Sequence, residues 1–304
     1  MVEIRPVITD AEMHRCLSVL AEVEPSQRVP SVQDMRHRER QGRTLLLASL
    51  GETDVASGVV DRSSQAGRSF VMARVRPSFR RQGIGTAVLR ELLTLAETLG
   101  LPVVGSMADD RGSVAFGESF GFAEVDRQVE QLRKIGDEPW PTPPPGVDIV
   151  SVAQRPELWR PAYDEVALQG YADMALEREV HVSAAEWMHS EMNNPEATFV
   201  ALSGTQIIGV ASLLTAEDES ARAEHGLTAV RREWRGKGVA SALKRQCLAW
   251  AAANGLTEVY TWTQKNNAEM RRLNEHLGFR YGLVSVSLEA PMPLRLPQPA
   301  QQAG

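Results

Sequence analysis

The sequence predicts an α/β protein assembled from two copies of one unit, each a sheet flanked by helices, and three observations carry that prediction. A segment recurs at a fixed spacing, a proline-rich stretch parts the copies, and strand-like and helix-like runs interleave within each copy. Residues 75 to 102, VRPSFRRQGIGTAVLRELLTLAETLGLP, align with residues 230 to 257, VRREWRGKGVASALKRQCLAWAAANGLT, at one constant offset. Gly121-Phe122 then answers Gly278-Phe279 with a small change of spacing. Such self-similarity outranks local propensity, because each copy has to bury the same faces.

TLLLASLGETDVASGVV in the first copy and TFVALSGTQIIGVASLL in the second predict hairpins; in the second, two β-rich runs flank the turn Ser203-Gly204-Thr205. A strand ending near Val230 follows, then a helix from about Gly238 to Ala253 whose Val239, Leu243, Cys247 and Trp250 share one face. Asn254-Gly255 stops it. TEVYTWT predicts another strand, and a helix follows over about Asn267 to Leu277. FRYGLVSVSLE is expected to close the second unit, with Val284, Val286 and Leu288 alternating against Ser285 and Ser287. The stretch GDEPWPTPPPGV carries five prolines, which remove donors and fix φ, so neither helix nor sheet interior can run through it. The expected organisation is a first domain over 1–135, a linker over 136–147, a second domain over 148–290 and a frayed tail over 291–304.

A chain of 304 residues suits two domains, and its 43% hydrophobic and 24% charged residues argue against disorder, collagen-like repeats and coiled coil. The formal net charge of −6 argues against a nucleic-acid partner and suits a cationic one. No apolar run reaches the roughly 20 residues that span a bilayer. The start, MVEIRPVITDAEMH, has neither the basic nor the apolar region of a signal peptide. We therefore expect a cytoplasmic protein without membrane contact, either a monomer (a pseudo-dimer of its own halves) or a weak homodimer. Cys16 and Cys247 fall in helical runs outside any metal or redox motif, so they read as reduced core thiols, and no metal is expected.

The chemical signal is a strand, a short basic turn with glycines, then a long amphipathic helix. The turn reads Arg80-Arg81-Gln82-Gly83-Ile84-Gly85 in the first copy and Arg235-Gly236-Lys237-Gly238-Val239-Ala240 in the second. A helix start leaves about four N–H groups unpartnered and carries partial positive charge, so a turn stripped of side chains can wrap a diphosphate. Read blandly, glycines before a helix only relieve a positive φ. The Walker pattern is absent, and GxGxxG fails because Val88 and Leu243 stand where its third small residue belongs.

These residues resemble the GNAT superfamily of N-acetyltransferases, whose hallmark is [RQ]xxGx[GA] opening a helix after the fourth strand. Both copies fit it, and the similarity runs on toward the family's later N-x(6)-Y-x(3)-GF stretch. The resemblance implies two GNAT-like domains in tandem, each a mixed, mostly antiparallel sheet flanked by helices. It implies acetyl-CoA as cofactor, with its diphosphate on Arg235 to Ala240 and on Arg80 to Thr86. It further implies that main-chain groups around Thr228 and Val230, and around Ala73 and Val75, hold the pantetheine arm, with Asn267 also near the cofactor. Among tandem members the layout is similar to mycothiol synthase and its actinobacterial relatives, in which one half does the chemistry.

Amide formation from a thioester needs a neutral amine and a proton for the departing thiolate, whose reference pKa is about 8.5. Glu224, eleven residues before Arg235, stands where some family members carry a strand glutamate that serves as base. The same spacing in the first copy reaches Ser69, which cannot do that work, so the second copy is expected to be the catalyst and the first to bind cofactor without turnover. Glu224 also fits a solvated residue at the end of the loop EDESARAE. His225, its neighbour, is expected to face the other way. The family's acid is often a tyrosine seven residues after the asparagine matched here by Asn267; that position is Asn274, which can orient a water or the thiol but cannot donate a titrating proton. Tyr281, another group or solvent must then serve. Asn266 and Asn267 equally suit helix capping, and Arg231 and Arg232 read as solvated surface residues.

Gly117-Glu118-Ser119-Phe120-Gly121 spells a hydrolase elbow, but the repeat puts it at a helix end. His181 and His189 lack metal-ligand spacing. Tyr171, Asp173, Met174 and His181 occupy a segment with no equal-length partner in the first copy, a position suited to shaping a substrate pocket. The expected function is acetyl transfer from acetyl-CoA to the primary amine of a small molecule. A non-catalytic CoA-binding module and a protein lysine acetyltransferase remain open beside it.

Overall fold

Chain-final strands change places in building the two units. The computed structural model describes residues 2–25, 29–174, 178–215 and 221–294. In chain order the elements are β1 (Glu3–Pro6), α1 (Asp10–Val23), α2 (Val32–Arg40), β2 (Thr44–Leu50), β3 (Thr53–Arg62), β4 (Arg68–Val75), α3 (Ile84–Glu97), β5 (Val103–Ala108), α4 (Arg111–Ser119) and β6 (Ala123–Lys134). They continue with β7 (Asp148–Ser151), α5 (Trp159–Ala162), α6 (Leu168–Ala172), α7 (Ala184–Ser190), β8 (Thr198–Ser203), β9 (Gln206–Thr215), β10 (Arg222–Val230), α8 (Val239–Ala253), β11 (Glu258–Gln264), α9 (Ala268–His276) and β12 (Arg280–Pro291). The first unit comprises Met1–Arg127 with Val284–Gly304, and the second Gln128–Leu283.

In the first unit β1 to β4 form an antiparallel run, β4 meets β5 in parallel, and β12 closes the edge antiparallel to β5 through Val286↔Ala108 to Pro291↔Val103. In the second, β7 to β10 are antiparallel, β10 meets β11 in parallel, and β6 closes the edge antiparallel to β11 through Glu258↔Lys134 to Gln264↔Gln128. The expected domains over 1–135 and 148–290 are thus corrected: each sheet takes its last strand from the other half of the sequence. The 136–147 stretch lies within the second unit, where Val147 joins the core and Arg133 bonds Glu138 at 2.5 Å. The expected free tail is tied at its start, Met292 donating its N–H to the Pro102 carbonyl at 2.9 Å; residues 295–304 lie outside the described residues. Ser285 and Ser287 are buried along with Val286 and Leu288, so β12 does not show the expected polar face.

Each sheet carries a hydrophobic layer on both faces. In the first unit Val88, Leu92 and Leu93 of α3 pack on one face, and Met13, Leu17 and Met35 of α1 and α2 on the other. In the second, Val239, Leu243, Cys247 and Leu248 of α8 cover one face, and Tyr163, Tyr171 and Trp187 the other. Cys16 and Cys247 are free and buried, and burial pushes their thiols up to about 11 and about 12. Among the described residues no helix is long and apolar enough to cross a membrane, and no group of His, Cys, Asp and Glu could hold a metal ion.

Candidate active site

Helix starts in this protein are mostly closed by side chains. Thr9–Glu12, Ser31–Asp34 and Ser183–Glu186 form capping boxes at α1, α2 and α7, while Asp110 and Asn267 cap α4 and α9. Apart from the short α5 and α6, which also lack a side-chain cap, two helices break the pattern. At α3 and α8 the caps are Gly83 and Gly238, both left-handed (φ 80° and 81°), with no side-chain cap. Only glycine adopts that conformation cheaply, and the first-turn N–H groups are left pointing outward. Arg81 and Gly236 also match, at φ 64° and 71°. A Cβ built on Gly83 or Gly236 meets nothing within 4 Å, whereas one on Gly238 would come into ordinary contact with Pro144 Cγ at 3.6 Å.

The motif arginines fix the turns to the preceding strands. Arg80 Nε donates to the Val75 carbonyl and Arg235 Nε to the Val230 carbonyl, each at 3.1 Å. Arg76 N donates to Val55 O and Arg231 N to Ile208 O, each at 2.9 Å, which directs those residues toward β3 and β9. Strand groups alternate in direction, so the main-chain groups of Ala73, Val75, Thr228 and Val230 face the opposite edges. Those edges are open: β4 pairs with β5 only from Arg68 to Phe70, and β10 with β11 only from Arg222 to Glu224.

In the first unit this parting makes an open cleft of about 430 Å³, lined by Ala73, Val75, Arg80, Arg81, Gly85 and Leu89 among others. A Cβ built on Gly85 would come into ordinary contact with Val75 and Phe116, and Ala240 holds its place in the second unit. Thr86 lies in the first turn of α3, and Gln82 donates to the Ser78 carbonyl at 3.4 Å. The side chains of Ile84 and Val239 are core residues, so these two positions offer the turn only their main chain. Lys237 stands over the Trp234 ring, 4.8 Å from its centroid. Asp109, at the end of β5, also lines the first cleft, and desolvation raises its carboxyl above the usual range against a bond from Ser285.

Glu224 lies within β10, half-buried, at the last pair before β10 and β11 separate. Beyond it β10 bulges, setting Gly226 and Leu227 against the single Ser212 of β9. The β3–β4 ladder has no such break. The bulge corrects the repeat alignment: Glu224 pairs with Tyr260 as Phe70 does with Gly105, so its counterpart is Phe70 and not Ser69. Phenylalanine is equally unable to act as a base. A Cβ on Gly226 would lie 2.5 Å from Glu191 Oε2 and 2.7 Å from Ser212 Oγ, and Leu227 N donates to Glu191 at 2.9 Å. His225 points into the core beside Lys244, where burial and then that lysine hold its imidazole well below its ordinary pKa.

The structure separates the other expected catalytic residues from Glu224. Asn274 is fully buried, its Nδ2 donating to Gln131 Oε1 at 2.9 Å and Thr263 Oγ1 at 3.4 Å, so it joins helix to sheet and does not face the cleft. Tyr281 is 51% exposed and donates to Glu275. The tyrosine brought to Glu224 is Tyr260, whose hydroxyl stands 3.5 Å from Oε2, at the limit of a hydrogen bond. Sequence reasoning missed Tyr260 and Glu191, although Gly226 inside a strand pattern does signal a bulge. Ser119 sits at the end of α4 and donates to the Phe116 carbonyl, not on an elbow. Arg231 and Arg232, expected to be solvated, are engaged: Arg231 bonds Glu165, and Arg232 joins Arg235 on Asp173.

Two glycine-capped helices, each opening beside a parted strand pair, are the features that the two units share. The chain belongs to the acetyltransferase (GNAT) family, whose model matches residues 15–122 and 155–279, and it is thereby an acyltransferase. Among solved structures it is similar to a tandem GNAT protein from the clavulanic acid biosynthesis pathway (TM-score 0.76, 20% identical, 96% of this chain and 98% of that one). It is also similar to a GCN5-related N-acetyltransferase from Sphaerobacter thermophilus (TM-score 0.71, 17% identical, 95% of each chain). A third likeness is to a putative acetyltransferase from Pyrococcus horikoshii (TM-score 0.62, 16% identical, 97% and 91%). At these identities they show the tandem fold, and the narrower similarity to mycothiol synthase rests on layout alone. No curated protein sequence matches the chain.

Proposed function

We propose that the protein transfers an acetyl group from acetyl-CoA to the primary amine of a small molecule in its second unit, with Glu224 as base. The observation that carries this reading is the place of Glu224, at the point where β10 leaves β11 and directly before the bulge. Acetyl-CoA supplies the activated acetyl thioester; members of this family use it on small-molecule or protein acceptors. The uncapped N–H groups at the starts of α3 and α8, behind Gly83 and Gly238, fit its diphosphate. Thr228 and Val230 offer main-chain groups to its arm, and Ala73 and Val75 do the same in the first unit.

An alkylamine is mostly protonated at neutral pH, with a pKa near that of lysine, about 10.4. Glu224 Oε2 removes that proton from the incoming ammonium, and Glu191, which accepts from Leu227 N on the bulge, adds negative charge that draws a cation in. The net charge of −6 favours the same class of acceptor. Incubation with labelled acetyl-CoA and a panel of small amines and lysine peptides tests the reading. Turnover on small amines is expected, and Glu224→Gln lowers kcat by roughly 10² or more while moving the pH optimum upward. Turnover on peptides alone would assign a protein acceptor; cofactor binding without turnover would leave a binding module.

A further inference from the structure

Lys244 is a deeply buried cation. It lies on α8 and is 1% exposed, and among the described residues no carboxylate pairs with it. Its Nζ stands 5.8 Å from the centroid of Phe279. Facing it are the buried His225 of β10 and Cys247 of its own helix, both neutral at ordinary pH. In the repeat Lys244 answers Leu89 and Phe279 answers Phe122, and both of those line the open cleft of the first unit. The second unit therefore carries an ammonium where the first carries a leucine that lines its cleft.

We propose that Lys244 is the acid of the second unit, giving its Nζ proton to the sulfur of coenzyme A. The inference rests on the transferase reading above and fills the place left by Asn274 and Tyr281. The amine nitrogen, freed of one proton by Glu224, bonds to the carbonyl carbon as the C–S bond breaks. Sulfur keeps the electron pair and takes the Nζ proton; the surplus proton on the new amide leaves to solvent, and Lys244 is reprotonated from solvent. Burial favours the release, because it disfavours the charged amine and holds Lys244 down at about 8, close to a thiol's reference value of about 8.5.

The experiment compares wild type, Lys244→Met and Lys244→Arg, in the full chain, by two readouts. In turnover of acetyl-CoA on the amine panel, both variants lose roughly 10² or more in kcat with KM for acetyl-CoA little changed, and both lose the alkaline limb near the lysine's titration. In calorimetry, wild type binds coenzyme A more tightly than desulfo-coenzyme A at one site above pH 8, and Lys244→Met erases the difference. Methionine matches the volume and removes a buried charge, so the variant folds. Wild-type kcat and pH profile in Lys244→Met, while Glu224→Gln is impaired, would overturn the acid and spare the transferase reading. An equal preference for the two cofactors in wild type and variant would overturn it even in the absence of an identified amine.

Discussion

Asp173 binds Arg235, the arginine that opens the second glycine turn, and holds Arg232 with the same carboxylate. In the first unit the corresponding Arg80 lines an open cleft. A carboxylate thus sits on Arg235, the first residue of the turn that we propose holds a diphosphate, and on its neighbour Arg232.

Asp173→Asn is expected to raise the affinity of the second unit for coenzyme A on the order of tenfold, since the carboxylate no longer competes for the two arginines. A fall in affinity, read by calorimetry, would make Asp173 a support that aims the arginines. The same pairing sets a pH signature. Arg232, with Arg235, holds the Asp173 carboxyl down at about 2 against an ordinary 3.8. A depressed carboxyl stabilises the fold above its unfolded value, so this contribution is complete above 3.8 and lost as pH falls through about 2. Acid unfolding curves of Asp173→Asn should therefore converge on wild type below that window.

The two left-handed glycines separate the units. Any side chain at Gly83 or Gly238 is strained by about 1–2 kcal/mol, and a glutamate also repels phosphate. Gly83→Glu should remove one of two coenzyme A binding events, and Gly238→Glu the other together with turnover. Turnover lost through Gly83 alone would move the chemistry to the first unit, where Glu24, Asp109 and Asp110 are carboxylates at the cleft.

Removing Asn274 tests its reassignment from chemistry to packing. Asn274→Ala leaves Gln131 and Thr263 without a shared partner and should cost about 1–3 kcal/mol in chemical denaturation. With the fold intact at low temperature, kcat should stay near wild type; a collapse of kcat at unchanged stability would return Asn274 to the reaction.

Stability should also report on Lys244. Its folded value of about 8 lies below its ordinary 10.5, so the unfolded chain binds the extra proton between the two. Wild-type stability from this group rises with pH across that window and is penalised in full below it. Lys244→Met should consequently raise Tm at neutral pH, and the advantage should shrink toward pH 10. A lower Tm at pH 7 would mean that the ammonium is better solvated than its burial indicates.

Much of this architecture was legible from local signals. The hairpins at 44–60 and 198–214, the helix ending at Ala253 and the glycine turns all appear where periodicity and turn chemistry put them. The likeness of Gly83 to Gly238 extends to their φ angles, because a positive φ is a property of one residue and its neighbours. Glu224 also lies on a strand facing away from His225, as alternation requires. The error at Ser69 arose within that same strand, since one bulged residue at Gly226-Leu227 shifts every earlier position by one and turns Phe70 into the counterpart.

By itself, then, the sequence determined the duplication, the two cradles and the uneven endowment of the halves, all encoded by residues close together along the chain. Only the tertiary structure decided that β12 completes the first sheet and β6 the second, that Asn274 is interior, and that Asp173 and Lys244 meet the second unit's turn and core. Strand partnership and burial depend on contacts between residues a hundred or more positions apart, and an edge strand of either copy satisfies the same hydrogen-bonding pattern until the whole chain is packed.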